Sequence, residues 1–358
     1  MHCSHQGCEA EMSLTSIHSN MNVIKYKKIF LSIAGFIMAA SIFCIAYFGL
    51  SFGIDFTGGS ILEVTFTDER PSISATEQAI ADAGVTDASV RTTGEDGYII
   101  RSPFLEDDQR TRVMDNFRLL ADGTEAKESN VSQVATTTET EPSSETAETA
   151  TTSTSTVATG TVIENRFSSI GPTVGSELTR SAIYGILAVV LGIILFVTFA
   201  FRKVSEVVSS WVYGSVAIVA LIHDILVPTA LFAILSVTIG AQIDLLFVMA
   251  LLAILGFSVN DTIVVFDRIR ENLQDAIDDD TNDSFADTVG ISLTQTYARS
   301  INTSITTLTV LAALYLIGGQ STELFALTLL VGVVAGTYSS IFIASPLLVK
   351  VHEWQQKE

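Results

Sequence analysis

The chain has 358 residues, of which 48% are hydrophobic, and its mean hydropathy is +0.45 although its formal net charge is −20. A sequence that is apolar on average and acidic overall must separate its apolar and acidic residues along the chain, as multi-pass membrane proteins do. It contains no basic patch, nucleotide-binding glycine loop or nucleophile–base pair, which argues against nucleic-acid binding and against an enzyme.

Six apolar segments are each long enough to cross a bilayer, for which about 20 residues suffice. They are predicted at residues 29–50, 179–201, 208–235, 244–266, 297–317 and 323–349. The first is longer than the apolar part of a signal peptide and no small-residue cleavage site follows it, so we expect it to be retained. The sequence therefore predicts an α-helical polytopic membrane protein with six transmembrane helices.

The spans divide the chain into five parts. In order, these are an N-terminal segment (1–28), the first transmembrane helix (29–50), a long connection (51–178), a five-helix membrane domain (179–350) and a short tail (351–358). Near the N-terminus, Cys3, His5 and Cys8 lack the paired spacing of a zinc site, so no metal site is predicted. A leader is the simpler interpretation of that segment.

Basic residues lie near alternate ends of the spans. One side would carry Lys25, Lys27, Lys28, Arg202, Lys203, Arg268, Arg270, Arg299, Lys350 and Lys357. The connections on the other side, 236–243 and 318–322, contain no Lys or Arg. Because cytoplasmic loops are enriched in basic residues, we expect a protein of the cell membrane with both termini in the cytoplasm and residues 51–178 outside it.

The connection 51–178 has the pattern of a small α+β domain. The predicted elements are a strand at 59–67, a helix opened by Ser74 and ended by Gly84 with Glu77 completing a capping box, strands at 88–93 and 97–102, a helix over 105–123 and a last strand within 160–171. The order β-α-β-β-α-β is that of the ferredoxin-like fold. Residues 134–160 are rich in Thr, Ser and Glu and are expected to form a flexible acidic insertion.

Ionisable residues inside a span are costly, by about 2.5–3.5 kcal/mol on insertion scales, and mark ion pathways where they occur. Three places qualify: His223 with Asp224, Asn260 with Asp261, and Arg299. Asp261 precedes the charged end of its span by six residues, which at ~1.5 Å per residue puts it roughly 9 Å inside. Arg299 is expected at a similar depth on the next span, so the two side chains could pair.

These residues also have structural interpretations that the sequence leaves open. Arg299 would serve equally as a positive anchor that reaches the membrane surface. Asp224 would serve as a carboxylate satisfied by His223, or beside a helix kink at Pro228. Asp267 and Arg268 are interpreted as charges at the membrane interface.

Small and hydroxyl side chains indicate where helices approach one another. Gly332 and Gly336 are four residues apart in the sixth span, the spacing that lets two helix backbones come close. Ser300, Ser304 and Thr307 form one stripe of the fifth span, which fits either helix packing or a hydrated proton path.

Five stretches together carry a family resemblance. They are GIDFTGGS (53–60), IGPTVGSEL (170–178), GFSVNDTIVVFDRIREN (256–272), RSINTSITTL (299–308) and GTYSSIFIASPLL (336–348). In this order they resemble the SecF branch of the SecD/SecF family of protein translocase subunits, which is similar to half of a resistance-nodulation-division transporter. Two departures are Ser300, where the family would have Thr, and the insertion 134–160.

The resemblance implies an accessory subunit of the Sec protein translocase. Such a subunit would pair with SecD in a pseudo-symmetric heterodimer, act beside the SecYEG channel in membrane lipid, and couple the proton gradient to preprotein export. It would need no cofactor other than the proton as coupling ion. The residues implied are a proton relay of Asp261, Arg299, Asp224 and Asn260, a hinge of Asp55, Gly58 and Gly59, and the motif residues Asp267 and Arg268.

Two other functions remain open from the residues alone. A half-size resistance-nodulation-division exporter of lipids or small amphiphiles would also use carboxylates inside the membrane. A structural scaffold that stabilises a channel would carry the same spans without using the proton gradient.

Overall fold

The computed structural model describes residues 22–67, 70–121, 162–200, 210–279 and 284–356. Several features of the sequence lie outside these ranges: Cys3, His5 and Cys8, the insertion 134–160, the Arg202–Lys203 turn and Lys357. The chain forms two compact units. One consists of Gly53–Thr179, and the other combines the residues up to Phe52 with those from Arg180 onwards.

Helices account for most of the described residues, and the strands lie between residues 59 and 170. In chain order, the helices are α1 (Asn22–Lys25), α2 (Lys27–Phe48), α3 (Ile54–Thr57), α4 (Ile73–Asp82), α5 (Asp107–Ala121), α6 (Pro172–Ala200), α7 (Ser210–Thr238), α8 (Leu245–Asp278), α9 (Phe285–Ile317), α10 (Gln320–Ser339) and α11 (Ser345–Gln355). A short π-helix, Ser340–Ala344, joins α10 to α11. The strands are β1 (Gly59–Phe66), β2 (Ser89–Thr93), β3 (Gly97–Ser102) and β4 (Val162–Ile170).

Within the described ranges, six helical segments are long and apolar enough to span a membrane, which confirms the predicted multi-pass helical class. They are α2, α6, α7, α8, α9 and the continuous run from Thr322 through the π-helix to Gln355. The first ends at Phe48, two residues before its predicted end, because Gly49 has a φ of 74° and leaves the helix.

Two of these helices extend well beyond their apolar parts. Helix α8 continues to Asp278 rather than ending at residue 266, and α9 begins at Phe285 rather than at 297. The polar extensions stay helical because each keeps one apolar face, with Ile269 of α8 and Val289 of α9 both fully buried. Hydropathy marks only the apolar part of such a helix.

Close packing in the membrane unit centres on α8, which contacts α7, α9 and α10. A Cβ atom on Gly332 of α10 would lie 2.2 Å from Cδ1 of Ile254, and one on Gly336 would lie 3.1 Å from Cβ of Ser258. The prediction that these two glycines mark a helix contact is therefore confirmed. Their missing side chains let the backbone of α10 lie directly against α8.

The smaller unit contains a four-stranded antiparallel sheet of order β2-β3-β1-β4. This is the strand order of the ferredoxin-like fold, so the predicted α+β class is confirmed. The core is formed by alternate side chains of β1 and β3 packed against α4 and α5. Its largest members are Leu62, Phe66, Ile80, Tyr98, Ile100 and Phe117.

The predicted start of α4 is wrong by two residues. Ser72, not Ser74, is the N-cap, and its Oγ accepts a hydrogen bond of 3.3 Å from the backbone N–H of Ala75. Ser72 has the extended backbone of a capping residue, whereas Ser74 already lies in the first turn. The other end is as predicted, because Gly84 follows the helix with a φ of 82°.

Candidate functional site

A buried carboxylate lies at the middle of α7. Asp224 is inaccessible to solvent, and its Oδ2 accepts a hydrogen bond of 2.7 Å from Ser339 and a second one from Ser258. Its Oδ1 lies 2.9 Å from Nδ1 of His223. An ionised carboxylate only accepts hydrogen bonds, so in the ionised state of Asp224 the donor would be the Nδ1–H tautomer of His223. Asp224 therefore connects three spans, since Ser258 belongs to α8 and Ser339 to α10.

A second carboxylate, Asp261, lies one turn after Ser258 on α8. Its side chain points into the helix bundle and only 7% of the residue is exposed. The hydroxyl groups of Ser300 on α9 and Ser340 in the π-helix lie beside it. Its Oδ2 atom and the Ser300 hydroxyl are nevertheless both buried without a hydrogen bond of normal geometry among the described residues. Asp261 is thus less tightly held than Asp224.

The two carboxylates are linked through adjacent side chains. Ser339 bonds to Asp224, and Ser340, the next residue, lies beside Asp261 while its hydroxyl donates 2.6 Å to the carbonyl of Gly336. The π-helix begins at Ser340, where the widened turn changes the directions in which successive side chains point. Buried hydroxyl groups therefore occupy the region between the two acids.

These three serines were not predicted as site residues. Ser258, Ser339 and Ser340 occur in the stretches GFSVND and GTYSS, whose sequence signals are the family resemblance and the helix contact. A further signal for Ser258 exists, because residues three apart lie on the same helix face and it precedes Asp261 by three. No comparable signal points to Ser339, whose partner lies in another span.

Two predicted relay residues lie on the outside of their helices. Asn260 and Arg299 are both exposed, because each precedes its buried neighbour, Asp261 or Ser300, by about 100° around the helix. Among the described residues, no salt bridge joins Arg299 to Asp261. The Arg299 guanidinium still acts on the carboxylate through its charge at longer range.

The polar end of α8 is connected to α9. Arg268 donates from Nε to Oε1 of Gln295 over 2.5 Å and forms a 2.6 Å salt bridge with Glu271. Asp267 is exposed and lies 3.6 Å from Arg270. The motif residues Asp267 and Arg268 therefore occupy the surface of the helix extension and are not in contact with the buried carboxylates.

The predicted hinge residues lie inside the small domain. Asp55 belongs to the helical turn α3, and Gly58 and Gly59 follow it with φ angles of 73° and 128°. A Cβ atom on Gly58 would lie 2.9 Å from Cα of Pro172, and one on Gly59 would lie 2.7 Å from the carbonyl oxygen of Ser102. Both positions require glycine for backbone conformation and for close approach.

The fold and the site together define a class of protein. It is a multi-pass helical membrane protein whose first and second spans are separated by a ferredoxin-like domain, with acidic side chains buried among the spans. Two family models identify the chain within that class. The model described as "Protein export membrane protein SecD/SecF, C-terminal" matches residues 149–354, and the "SecD/SecF GG Motif" matches residues 48–69. The chain belongs to the SecD/SecF family.

Similar proteins are named protein translocase subunit SecF. One from Anaerolinea thermophila is 37% identical over 94% of this chain and 96% of its own, and one from Thermobaculum terrenum is 38% identical over 94% and 95%. One from Escherichia coli O157:H7 is 31% identical over 91% and 87%. None of these three is described as an exporter of lipids or as a scaffold.

A solved structure extends the comparison to the fold. The crystal structure of SecDF, a translocon-associated membrane protein from Thermus thermophilus, matches 95% of this chain with a TM-score of 0.69 and 26% sequence identity. The match covers 39% of the SecDF chain, so this chain spans well under half of that protein's length.

Proposed function

We propose that this chain is an accessory subunit of the Sec protein translocase that acts with SecD beside the SecYEG channel. The SecF relatives, which match it over nearly their whole length, support this assignment. The SecDF structure, which this chain matches over 39% of that protein's length, supports SecD as partner. The preprotein crossing the channel is the proposed substrate.

We infer that both termini lie in the cytoplasm and that the small domain lies on the other side of the cell membrane. Basic residues near alternate span ends favour this orientation. A contact also supports it, because Lys27 at the start of α2 forms a salt bridge with Glu353 near the end of α11. The two ends of the membrane unit thus meet at one surface.

In this proposal, Asp261 is the residue that couples the proton gradient to export. Protonation would remove its charge, and this changes which hydroxyl groups the carboxyl group can accept from or donate to. Because Ser300 and Ser340 belong to different helices, a change of partner would shift α9 and the π-helix relative to α8. A charge that crosses 100 mV supplies about 2.3 kcal/mol, enough to bias two arrangements that differ by a few kcal/mol.

The supporting groups have separate roles in this proposal. Arg299 provides a positive charge that acts on Asp261 from outside the bundle. Asp224 and its serines would respond to movement of the π-helix, because Ser339 directly precedes Ser340. Asn260 faces outward, as expected of a group that meets a partner subunit. The observation that carries the proposal is the buried Asp261 carboxylate, whose Oδ2 has no hydrogen bond of normal geometry from any residue that the structure describes.

The test is export of a secreted reporter from cells that depend on this chain and its SecD partner. Asp261→Asn keeps the shape of the side chain but cannot change its charge. Asp275→Asn is the matched control, because it makes the same change at an exposed position of the same helix. At equal expression, the Asp261 variant should export poorly and lose its sensitivity to an uncoupler, while the control retains both. Wild-type export by Asp261→Asn would overturn the proton-coupling assignment.

A further inference from the structure

Two side chains of α8 converge on one side chain of α9. The Oε1 atom of Gln295 accepts a hydrogen bond of 2.5 Å from Nε of Arg268 and one of 2.8 Å from Nδ2 of Asn272. Asn272 also donates over 2.8 Å to the hydroxyl of Ser292, which is fully buried and itself donates to the carbonyl of Thr288. We call Arg268, Asn272, Ser292 and Gln295 the clamp. Each of its four side chains bonds to the opposite helix.

The clamp continues the helix faces that carry the proposed relay. Arg268 follows Asp261 by seven residues, about two turns of α8, so the two lie on one face of that helix. The contacts run in opposite directions along the two helices, from Asp261 beside Ser300 to Asn272 beside Ser292. At ~1.5 Å per residue, the clamp begins about 10 Å along α8 from Asp261.

The shapes of the side chains between these points determine the rotation of α9 on α8 only weakly. Ser292, Thr296 and Ser300 are all buried and follow one another at intervals of four residues, which places them on one face of α9. We call this the hydroxyl face. Its short side chains form low ridges, so shape alone favours no single rotation strongly. A network of paired polar groups does specify one arrangement, and the clamp is such a network.

We propose that Arg268, Asn272 and Gln295 are positioning residues that hold the hydroxyl face of α9 opposite Asp261. The helices are joined at the clamp by paired groups. At the other end, Oδ2 of Asp261 and the Ser300 hydroxyl have no hydrogen bond of normal geometry within the described ranges. A change of charge on Asp261 would therefore move α9 about the clamp and would leave the rest of the hairpin in place.

This assignment gives the motif residue Arg268 a role although it does not touch a buried carboxylate. Its effect on export rests on the proposed role of Asp261 in coupling. The placement of α9 by the clamp stands without that role, so the two are measured separately.

A disulfide reporter measures the placement of α9. Ser304 lies one turn beyond Ser300, and its Oγ is 2.6 Å from Oγ1 of Thr337 on α10. Ser304→Cys with Thr337→Cys therefore brings two thiols within reach of a disulfide bond, and the rate of oxidation reports the direction of the hydroxyl face. The measurement uses the full chain in cell membranes, with the native cysteines at 3, 8 and 44 replaced by serine.

Variants of the clamp should change this rate selectively. Gln295→Leu should slow oxidation about twofold to tenfold, the factor for one hydrogen bond, and Asn272→Ala should slow it as well. Gln295→Glu keeps an acceptor oxygen for Arg268 and should preserve the rate. Gln274→Leu is the matched control, because it makes the same change at an exposed position of α8. Gln295 is exposed too, so its replacement creates no cavity and the variant should fold.

Reporter export then tests whether the clamp acts through Ser300. At equal expression, Gln295→Leu should lower export about twofold to tenfold, and Gln295→Glu should not. In a chain that already carries Ser300→Ala, Gln295→Leu should have little further effect, because both changes remove the same hydroxyl group from its place beside Asp261. A clamp that only stabilised the hairpin would lower export by the same factor in both chains.

Three results would overturn the proposal. The first is an unchanged oxidation rate in both Gln295→Leu and Asn272→Ala, which would show that the clamp does not place α9. The second is slower oxidation without any loss of export. The third is an equal loss of export with and without Ser300→Ala. If Asp261→Asn exported like the wild type, the coupling role of Asp261 would fail, and the oxidation rates would still decide whether the clamp places α9.

Discussion

Ser339 donates a hydrogen bond of 2.7 Å to Oδ2 of Asp224, a residue 115 positions earlier in the chain. Ser258 donates to the same oxygen, and His223 bonds to the other. The carboxylate is therefore well solvated by protein groups although it is far from water. Removing any one donor leaves the buried carboxyl group of Asp224 with fewer partners.

A double-mutant cycle on Asp224 and Ser339 tests how much this connection contributes. Ser339→Ala alone should lower the free energy of unfolding by about 1.5–3 kcal/mol, the range for a hydrogen bond to a charged group. The effect of the double variant Ser339→Ala with Asp224→Asn should differ from the sum of the two single effects by about 0.5–3 kcal/mol. The measurement is denaturant unfolding in mixed micelles.

Ser215→Ala is the control for that cycle. Ser215 lies on α7 as well, but it is exposed and donates to the carbonyl of Trp211 in its own helix. Its effect should add to that of Asp224→Asn without coupling. Additivity of Ser339→Ala with Asp224→Asn would show that the bond does not stabilise the bundle.

Ser300→Ala is expected to separate activity from stability. Within the described part of the chain, the Ser300 hydroxyl is buried without a hydrogen bond of normal geometry, so its removal should leave the free energy of unfolding unchanged or slightly higher. Reporter export should nevertheless fall, because the proposed relay loses the hydroxyl group beside Asp261. The measurement pairs the export assay with thermal unfolding of the purified variant.

Ser304→Ala serves as the comparison, because it should lower stability and leave export intact. Ser304 lies one turn further along α9 and bonds over 2.6 Å to the hydroxyl of Thr337. Its loss should destabilise the bundle by about 0.5–1.5 kcal/mol. If Ser300→Ala destabilised the protein as much and left export intact, the hydroxyl would be structural and not part of a relay.

Gly332→Ala should disturb the contact between α10 and α8. The new Cβ would overlap Ile254, which is fully buried and has no space to move into. We expect a loss of about 1–3 kcal/mol, typical of overpacking. Ile254→Ala in the same chain should restore part of this loss. Gly256→Ala is the control, because no atom of another described segment lies within 4 Å of its Cβ position.

Gly59→Ala should unfold the small domain locally. The substitution combines a φ of 128° with a Cβ placed 2.7 Å from the backbone oxygen of Ser102, which a side chain cannot relieve by rotating. Hydrogen exchange on the full chain should accelerate in β1 and β3. Gly171→Ala should not do this, since apart from its chain neighbours no atom that the structure describes lies within 4 Å of its Cβ position. Unchanged exchange in the Gly59 variant would contradict the close approach.

The sequence was sufficient for the architecture because each span and strand has a local signal. The six apolar segments and the β-α-β-β-α-β pattern are recognised from the spacing of residues along the chain, which does not depend on tertiary contacts. The ends of α8 and α9 were harder to predict. Their extensions to Asp278 and from Phe285 are amphipathic, and their stability comes from contact with each other and not from hydropathy.

The site was only partly predictable for a related reason. Depth along a span can be read from a sequence, and it placed Asp224 and Asp261 inside the membrane. The direction in which a side chain points around its helix depends on how that helix packs against the others. Arg299 has the depth needed to pair with Asp261, but its side chain lies on the exposed face of α9. The hydrogen bonds from Ser258 and Ser339 to Asp224 join different spans, so no local sequence pattern predicts them.

The π-helix also determines which faces of the last span the residues after it occupy. Its bonds run from residue i to i+5, so the turn between Ser340 and Ala344 holds one more residue than an α-helical turn. Deleting one residue there would restore a regular α-helix and keep the residues from Ser345 onwards on their present faces, whereas deleting one residue from an α-helical part of the span would rotate them by about 100°. Pro346 and His352, which are both buried, would change neighbours only in the second case. When this span is aligned with a relative that has a straight helix, a one-residue gap belongs at this turn.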